Sequence, residues 1–84
     1  MMNLYLVKYD NFEWSCFAFD TSRGRAKLRV AKEFGKEYIE MRCKTLKKGV
    51  NVPLPMLVTH PDDEGYDIVQ KCGYHYDTDE EEGD

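Results

Sequence analysis

The residues of this chain whose types are suited to chemistry are three cysteines, two histidines and the acids Asp62-Asp63-Glu64. Cys16, Cys43 or Cys72 beside His60 or His75 would make a thiolate–imidazole nucleophile if fold brought a pair together, but nothing in the spacing does so. Cys72-x-x-His75 has local metal-ligand spacing, yet no CxxC exists to complete a zinc set. Asp62-Asp63-Glu64 places three carboxylates side by side, in a spacing that matches no calcium loop. His75, between Tyr74 and Tyr76, is a candidate for pH sensing, and reads rather as a surface histidine without function. Neither GxxxxGK(S/T) nor GxGxxG is present to cradle a phosphate. The expectation is therefore a protein that is not an enzyme, with no metal and no cofactor, and with cysteines acting as small buried hydrophobes. An odd number of widely spaced cysteines is not a disulfide framework and suits a reducing compartment.

The element that organises the chain is Asp20 to Gly35, DTSRGRAKLRVAKEFG. Thr21 or Ser22 is placed to cap a helix, and Gly35 to end it in a left-handed conformation. Ala26, Val30 and Phe34, with Ala31 beside them, recur at helical spacing and should face a core. Gly24 shifts the expected start toward Arg25. Arg23 and Arg25 oppose the helix dipole there, so they are expected to be solvated, paired with Asp20, or reserved for a partner.

Around this helix the pattern is that of a small sheet. Leu4-Tyr5-Leu6-Val7-Lys8-Tyr9 and Trp14 to Phe19 read as two strands joined by a short turn at Asp10-Asn11, hence an antiparallel hairpin with two apolar faces. The helix covers one face; the C-terminal segment is expected to cover the other. Tyr38 to Leu46 alternates Ile39, Met41 and Cys43 with Glu40, Arg42 and Lys44, a half-buried strand that Lys47-Lys48-Gly49 should end. Asn51 to Thr59, with Pro53 and Pro55, reads as an extended connection. A second helix is expected from Pro61, capped by Thr59 or His60, with Asp62, Asp63 and Glu64 in its first turn. Its stripe would be Ile68, Val69 and Cys72, and its stop Gly73; the alternative is a loop and a fourth strand through Tyr66 to Val69. Asp77 to Asp84, six acids in eight residues, cannot form a packed element. The fold class is α+β: a small antiparallel β-β-α-β sheet packed on one main helix, a short C-terminal helix and an acidic tail. Residues 1–76 form one domain and 77–84 a disordered tail. No apolar run spans a bilayer, and MMNLYLVKYD lacks signal-peptide design, so a cytoplasmic protein with no membrane partner is expected.

The net charge of −4 hides a division. Residues 21–50 hold ten bases and three acids (+7), and residues 51–84 hold one base and ten acids (−9). Such asymmetry bears on partners rather than on fold. One reading is a protein-binding module that presents Asp62, Asp63, Glu64 and Asp67, with Tyr66, Tyr74 and Tyr76 as anchors, to a basic nucleic-acid-binding protein. The alternative is a nucleic-acid binder using Arg23, Arg25, Lys27, Arg29 and Lys32, with Lys36, Arg42 and Lys44 adjoining. Two further readings are mutual neutralisation of the two charge fields and a homodimer built through the aromatic strand face.

An aromatic first strand, a second strand and the helix entry Ser22-Arg23-Gly24-Arg25-Ala26-Lys27 together resemble short bacteriophage and prophage proteins over roughly the first half of the chain. The resemblance implies an inhibitor of host defence of the anti-CRISPR type, acting in a bacterial cytoplasm on a nucleic-acid-handling complex such as a CRISPR effector. It carries over no functional residue, because the class has no shared site.

Overall fold

The computed structural model describes residues 1–9 and 14–75. The turn expected at Asp10-Asn11, the anchor Tyr76 and the tail 77–84 lie outside the described residues. Met2–Tyr9 forms β1 and Ser15–Asp20 forms β2. They pair antiparallel, Leu4 opposite Phe19 and Val7 opposite Cys16, and the Tyr9 N–H donates to the Trp14 carbonyl at 3.2 Å. Strand alternation sends Tyr5, Val7, Cys16 and Ala18 to one face and Leu4, Phe17 and Phe19 to the other. Both faces are apolar, so both need cover.

The first cover is α1, Arg23–Phe34. The Ser22 hydroxyl accepts from the Arg25 N–H at 3.2 Å, and Gly35 (φ 65°) closes the helix by donating to the Ala31 carbonyl. That cap holds the first turn, so Arg23 and Gly24 are already helical and the later start near Arg25 does not occur. Ala26, Val30 and Ala31 are buried against Tyr5, Val7, Cys16, Ala18 and Met41. Phe34 stands at the end of this stripe, half out of the core, with its ring edge-on to Trp14 at 5.1 Å between centroids.

β3, Met41–Val50, pairs with the free side of β1. It starts later and runs further than the alternating pattern suggests. Tyr38–Glu40 is a 3₁₀ turn that leaves Ile39 85% exposed instead of core-facing. At the far end a register shift between Met2 and Tyr5 absorbs the extra length, and the Gly49 N–H donates to Asn3 Oδ1 at 3.1 Å. Lys47-Lys48-Gly49 therefore continue the strand rather than end it.

The connection after Val50 contains a further strand, β4 (Met56–Val58), which pairs with the outer side of β2, Leu57 opposite Ala18. The sheet is antiparallel with order β3-β1-β2-β4, four strands where three were expected.

The second cover is α2, Tyr66–Lys71. Val69 is buried on Leu4, Phe17, Phe19, Val50, Val52 and Val58, with Ile68 and Cys72 alongside as the stripe predicts. The aromatic face is thus covered by the C-terminal segment. The helix begins at Tyr66 and not at Pro61, and Tyr66 to Val69 is helical rather than a strand. Its N-cap is Gly65 at φ 94°, where a Cβ would lie 2.6 Å from Met56 Sδ and 3.3 Å from Val58 Cγ2. Only glycine lets this turn rest on β4. No helix among the described residues is long and apolar enough to cross a membrane.

Candidate functional site

The acids expected in a helical first turn lie instead in a braced turn ahead of α2. Asp63 Oδ2 accepts from both the N–H and the Oγ1–H of Thr59, each at 2.8 Å. The Asp63 N–H donates to the His60 carbonyl at 2.9 Å, and the Tyr66 N–H to the Asp63 carbonyl at 3.2 Å. The Thr59 N–H first, then its hydroxyl, hold the Asp63 carboxyl below its ordinary 3.8. Asp63 therefore shapes the turn, and its neighbours carry the display. Asp62, Glu64 and Asp67 are exposed. Asp62 stands 3.5 Å from His60 Nδ1, with both side chains in solvent. Among the described residues, none of these three forms an ion pair with an arginine or lysine of residues 23–48.

Of the tyrosines expected as anchors, Tyr66 and Tyr74 fall within the described residues. Both are half-buried against the α2-side core, and the Tyr74 hydroxyl donates to the Leu46 carbonyl at 3.1 Å.

The basic residues divide between two faces. Asp20 falls on the same face as Ala18 by strand alternation, which puts its buried carboxylate under the middle of α1. Arg29 Nε donates to its Oδ2 at 2.8 Å, and the Thr21 N–H donates to Oδ1 at 2.8 Å. Asp20 thus pairs with Arg29, not with Arg23 or Arg25, which sit in the first turn and project into solvent together with Lys32 farther along. Lys27 Nζ lies 4.4 Å from the Tyr38 ring centre, and Lys36 Nζ 4.9 Å from that of Tyr9. Arg42 and Lys44 alternate with Met41 and Cys43, which face α1, so they leave the sheet on its opposite side. Helix and strand bases do not form one surface.

Cys16 and Cys43 flank Val7 on either side of β1, so a whole strand separates them and no disulfide can span it. Burial, then the neighbouring Cys43, pushes the Cys16 thiol up to about 12. Burial pushes Cys43 up to about 11 against the lowering pull of Arg23 and Lys27. Neither is an activated nucleophile at neutral pH. Among the described residues no three His, Cys, Asp or Glu side chains gather to hold a metal ion.

Sequence reasoning missed a cleft of about 510 Å³ between α1 and β4. Arg29, Glu33 and Phe34 form one wall, Pro55, Met56 and Leu57 the other, and Thr59, Asp63 and Glu64 close one end. It joins three separate segments and depends on a strand of three residues, so no local pattern announces it. Comparison with protein-family models, curated proteins and solved structures finds no match to this chain.

Proposed function

We propose that this protein is a non-enzymatic binding module that docks its acidic turn on a basic surface of a nucleic-acid-handling protein. The observation that carries this reading is the display of Asp62, Glu64 and Asp67. They stand in solvent on a turn braced by Asp63 and Gly65, without lysine or arginine partners among the described residues. A rigid negative surface steers encounter with a positive one and fixes its register. Grooves built to hold phosphates are positive surfaces of that kind. In the phage-type form of this reading, the module inhibits a host-defence complex such as a CRISPR effector by occupying such a groove. The nucleic-acid-binding alternative has less support, because Arg29 is engaged with Asp20 and the strand bases point away from the helix bases.

The test is affinity capture from a bacterial lysate at low salt, with mass spectrometry, using wild type, D62N/E64Q/D67N and R25Q/K32Q. The expected result is retention of a basic nucleic-acid-binding protein by wild type and R25Q/K32Q, and its loss from the acidic-turn variant. Direct binding of wild type to DNA or RNA oligonucleotides, lost in R25Q/K32Q, would overturn the reading.

A further inference from the structure

We propose that the hollow between the start of α1 and Tyr38 is a binding site for a phosphate monoester. The cavity holds about 220 Å³ and is lined by Arg23, Gly24, Lys27, Tyr38 and Cys43. It lies at the β3 border of the sheet, whereas the acidic turn follows β4 at the opposite border. Two cations line it and no carboxylate does. Lys27 Nζ stands 4.4 Å from the Tyr38 ring centre, which ties its head to one wall. Arg23 and Lys27 both come near enough to Cys43 to pull its thiol downward, so the two heads converge on one place. Burial outweighs that pull and holds the thiol at about 11, so it stays protonated and supplies no counter-charge. Among the described residues neither cation has an acidic partner.

Gly24 points the same way on grounds other than charge. It is helical, with no positive φ to call for glycine, and glycine is the poorest helix former after proline. A Cβ added there would meet only the Tyr38 hydroxyl, at 3.6 Å, an ordinary contact. The fold therefore has room for alanine at this position. What glycine does is keep the hollow open and its backbone bare, as a close-lying ligand requires.

Charge and size select the occupant. A phosphate monoester carries about two negative charges at neutral pH and three acceptor oxygens. The Arg23 fork meets two of those oxygens in parallel, and Lys27 adds a point charge. The Tyr38 hydroxyl, which has no hydrogen-bond partner among the described residues, donates to the third. The volume falls below the range of pockets that enclose drug-sized ligands, so the site takes a small monoester or the phosphorylated end of a larger molecule.

The experiment is an amide NMR titration of the full chain with methyl phosphate, with sodium chloride at equal ionic strength as the control. Saturable shifts should cluster at Arg23, Gly24, Lys27, Tyr38 and Cys43, and R23Q/K27Q should abolish them. Gly24→Ala separates the site from the scaffold: its urea midpoint should rise, because alanine is the better helix former, while methyl phosphate binds about tenfold more weakly. R25Q/K32Q, which removes two α1 cations outside the hollow, should bind as wild type does. Undiminished binding by Gly24→Ala or R23Q/K27Q, equal weakening by R25Q/K32Q, or shifts that chloride reproduces would overturn the proposal. The peptide Ac-Gly-Ala-pSer-Ala-Gly-NH2 assigns the source once the site holds: tighter binding than methyl phosphate at the same residues points to a phosphorylated protein, equal binding to a small monoester.

Discussion

One face of the sheet is covered by a twelve-residue helix with a serine cap and a glycine stop; the other is covered by a six-residue helix that starts on a glycine without a side-chain cap. The first carries its instructions locally. The second is too short to hold helical structure alone, and forms because Val69 fills the space between Leu4, Phe19 and Val58. The two halves of the molecule therefore differ in where their stability originates: capping and length on the α1 side, tertiary contact on the α2 side. The acidic turn belongs to the second, and the β4 cleft lies between the two.

Glycine substitutions break the comparison most sharply. Gly65→Ala combines a left-handed backbone with a Cβ 2.6 Å from Met56 Sδ, and is expected to cost about 3 kcal/mol in urea unfolding. Gly35→Ala shares the sign of φ, but its added Cβ meets no atom within 4 Å, so about 1 kcal/mol is expected. Equal costs would show that the α2 turn is not locked on β4.

Core truncation comes next. Val69→Ala and Val30→Ala remove comparable fully buried side chains and should each cost about 2 kcal/mol. Their hydrogen-exchange signatures should differ. Val69→Ala should strip protection from residues 66–72 while α1 stays protected, whereas Val30→Ala should lower protection throughout. Selective loss in α1 on Val69→Ala would contradict the division. At the helix start, Ser22→Ala should cost about 1 kcal/mol, read as a lower midpoint of denaturation with unchanged slope.

The smallest effect is a pH effect. The folded pKa of Asp63 lies below its unfolded value of 3.8, so the stability it contributes is present above 3.8 and is lost as pH falls through the lower folded value. The Thr59 amide resonance should move over that acid range in wild type and stay flat in Asp63→Asn. Titration of Thr59 in the asparagine variant would assign the transition to another group.

How much of this was legible follows the same division. Ser22, Gly35 and the Ala26–Val30–Ala31 stripe announce α1, because capping and periodicity are local properties. The hairpin faces and the stripe Ile68, Val69 and Cys72 were equally legible. Pro61 and the acids after it imitate a helix start, but Asp63 bonds back to Thr59 and turns the chain instead. Met56–Val58 is too short and too close to Pro53 and Pro55 to read as a strand, and becomes one because the outer side of β2 accepts it. Tyr66 and Tyr74 look like anchors in sequence; what no local pattern tells is that both lie half-buried on the α2-side core, with the Tyr74 hydroxyl tied to the Leu46 carbonyl. Of the alternatives for Arg23 and Arg25, solvation holds and pairing with Asp20 does not, because strand alternation aims that carboxylate toward Arg29.

β3 has its own consequence for how copies of this protein behave together. Its ten residues form the opposite border of the sheet, and along it Arg42, Lys44, Lys47 and Lys48 stand in solvent. A second copy attempting to zip onto that border would bring the same cations against them, and ribbon growth would stall at its first step. Like-charge repulsion along the basic middle of the chain thus disfavours self-stacking at this border.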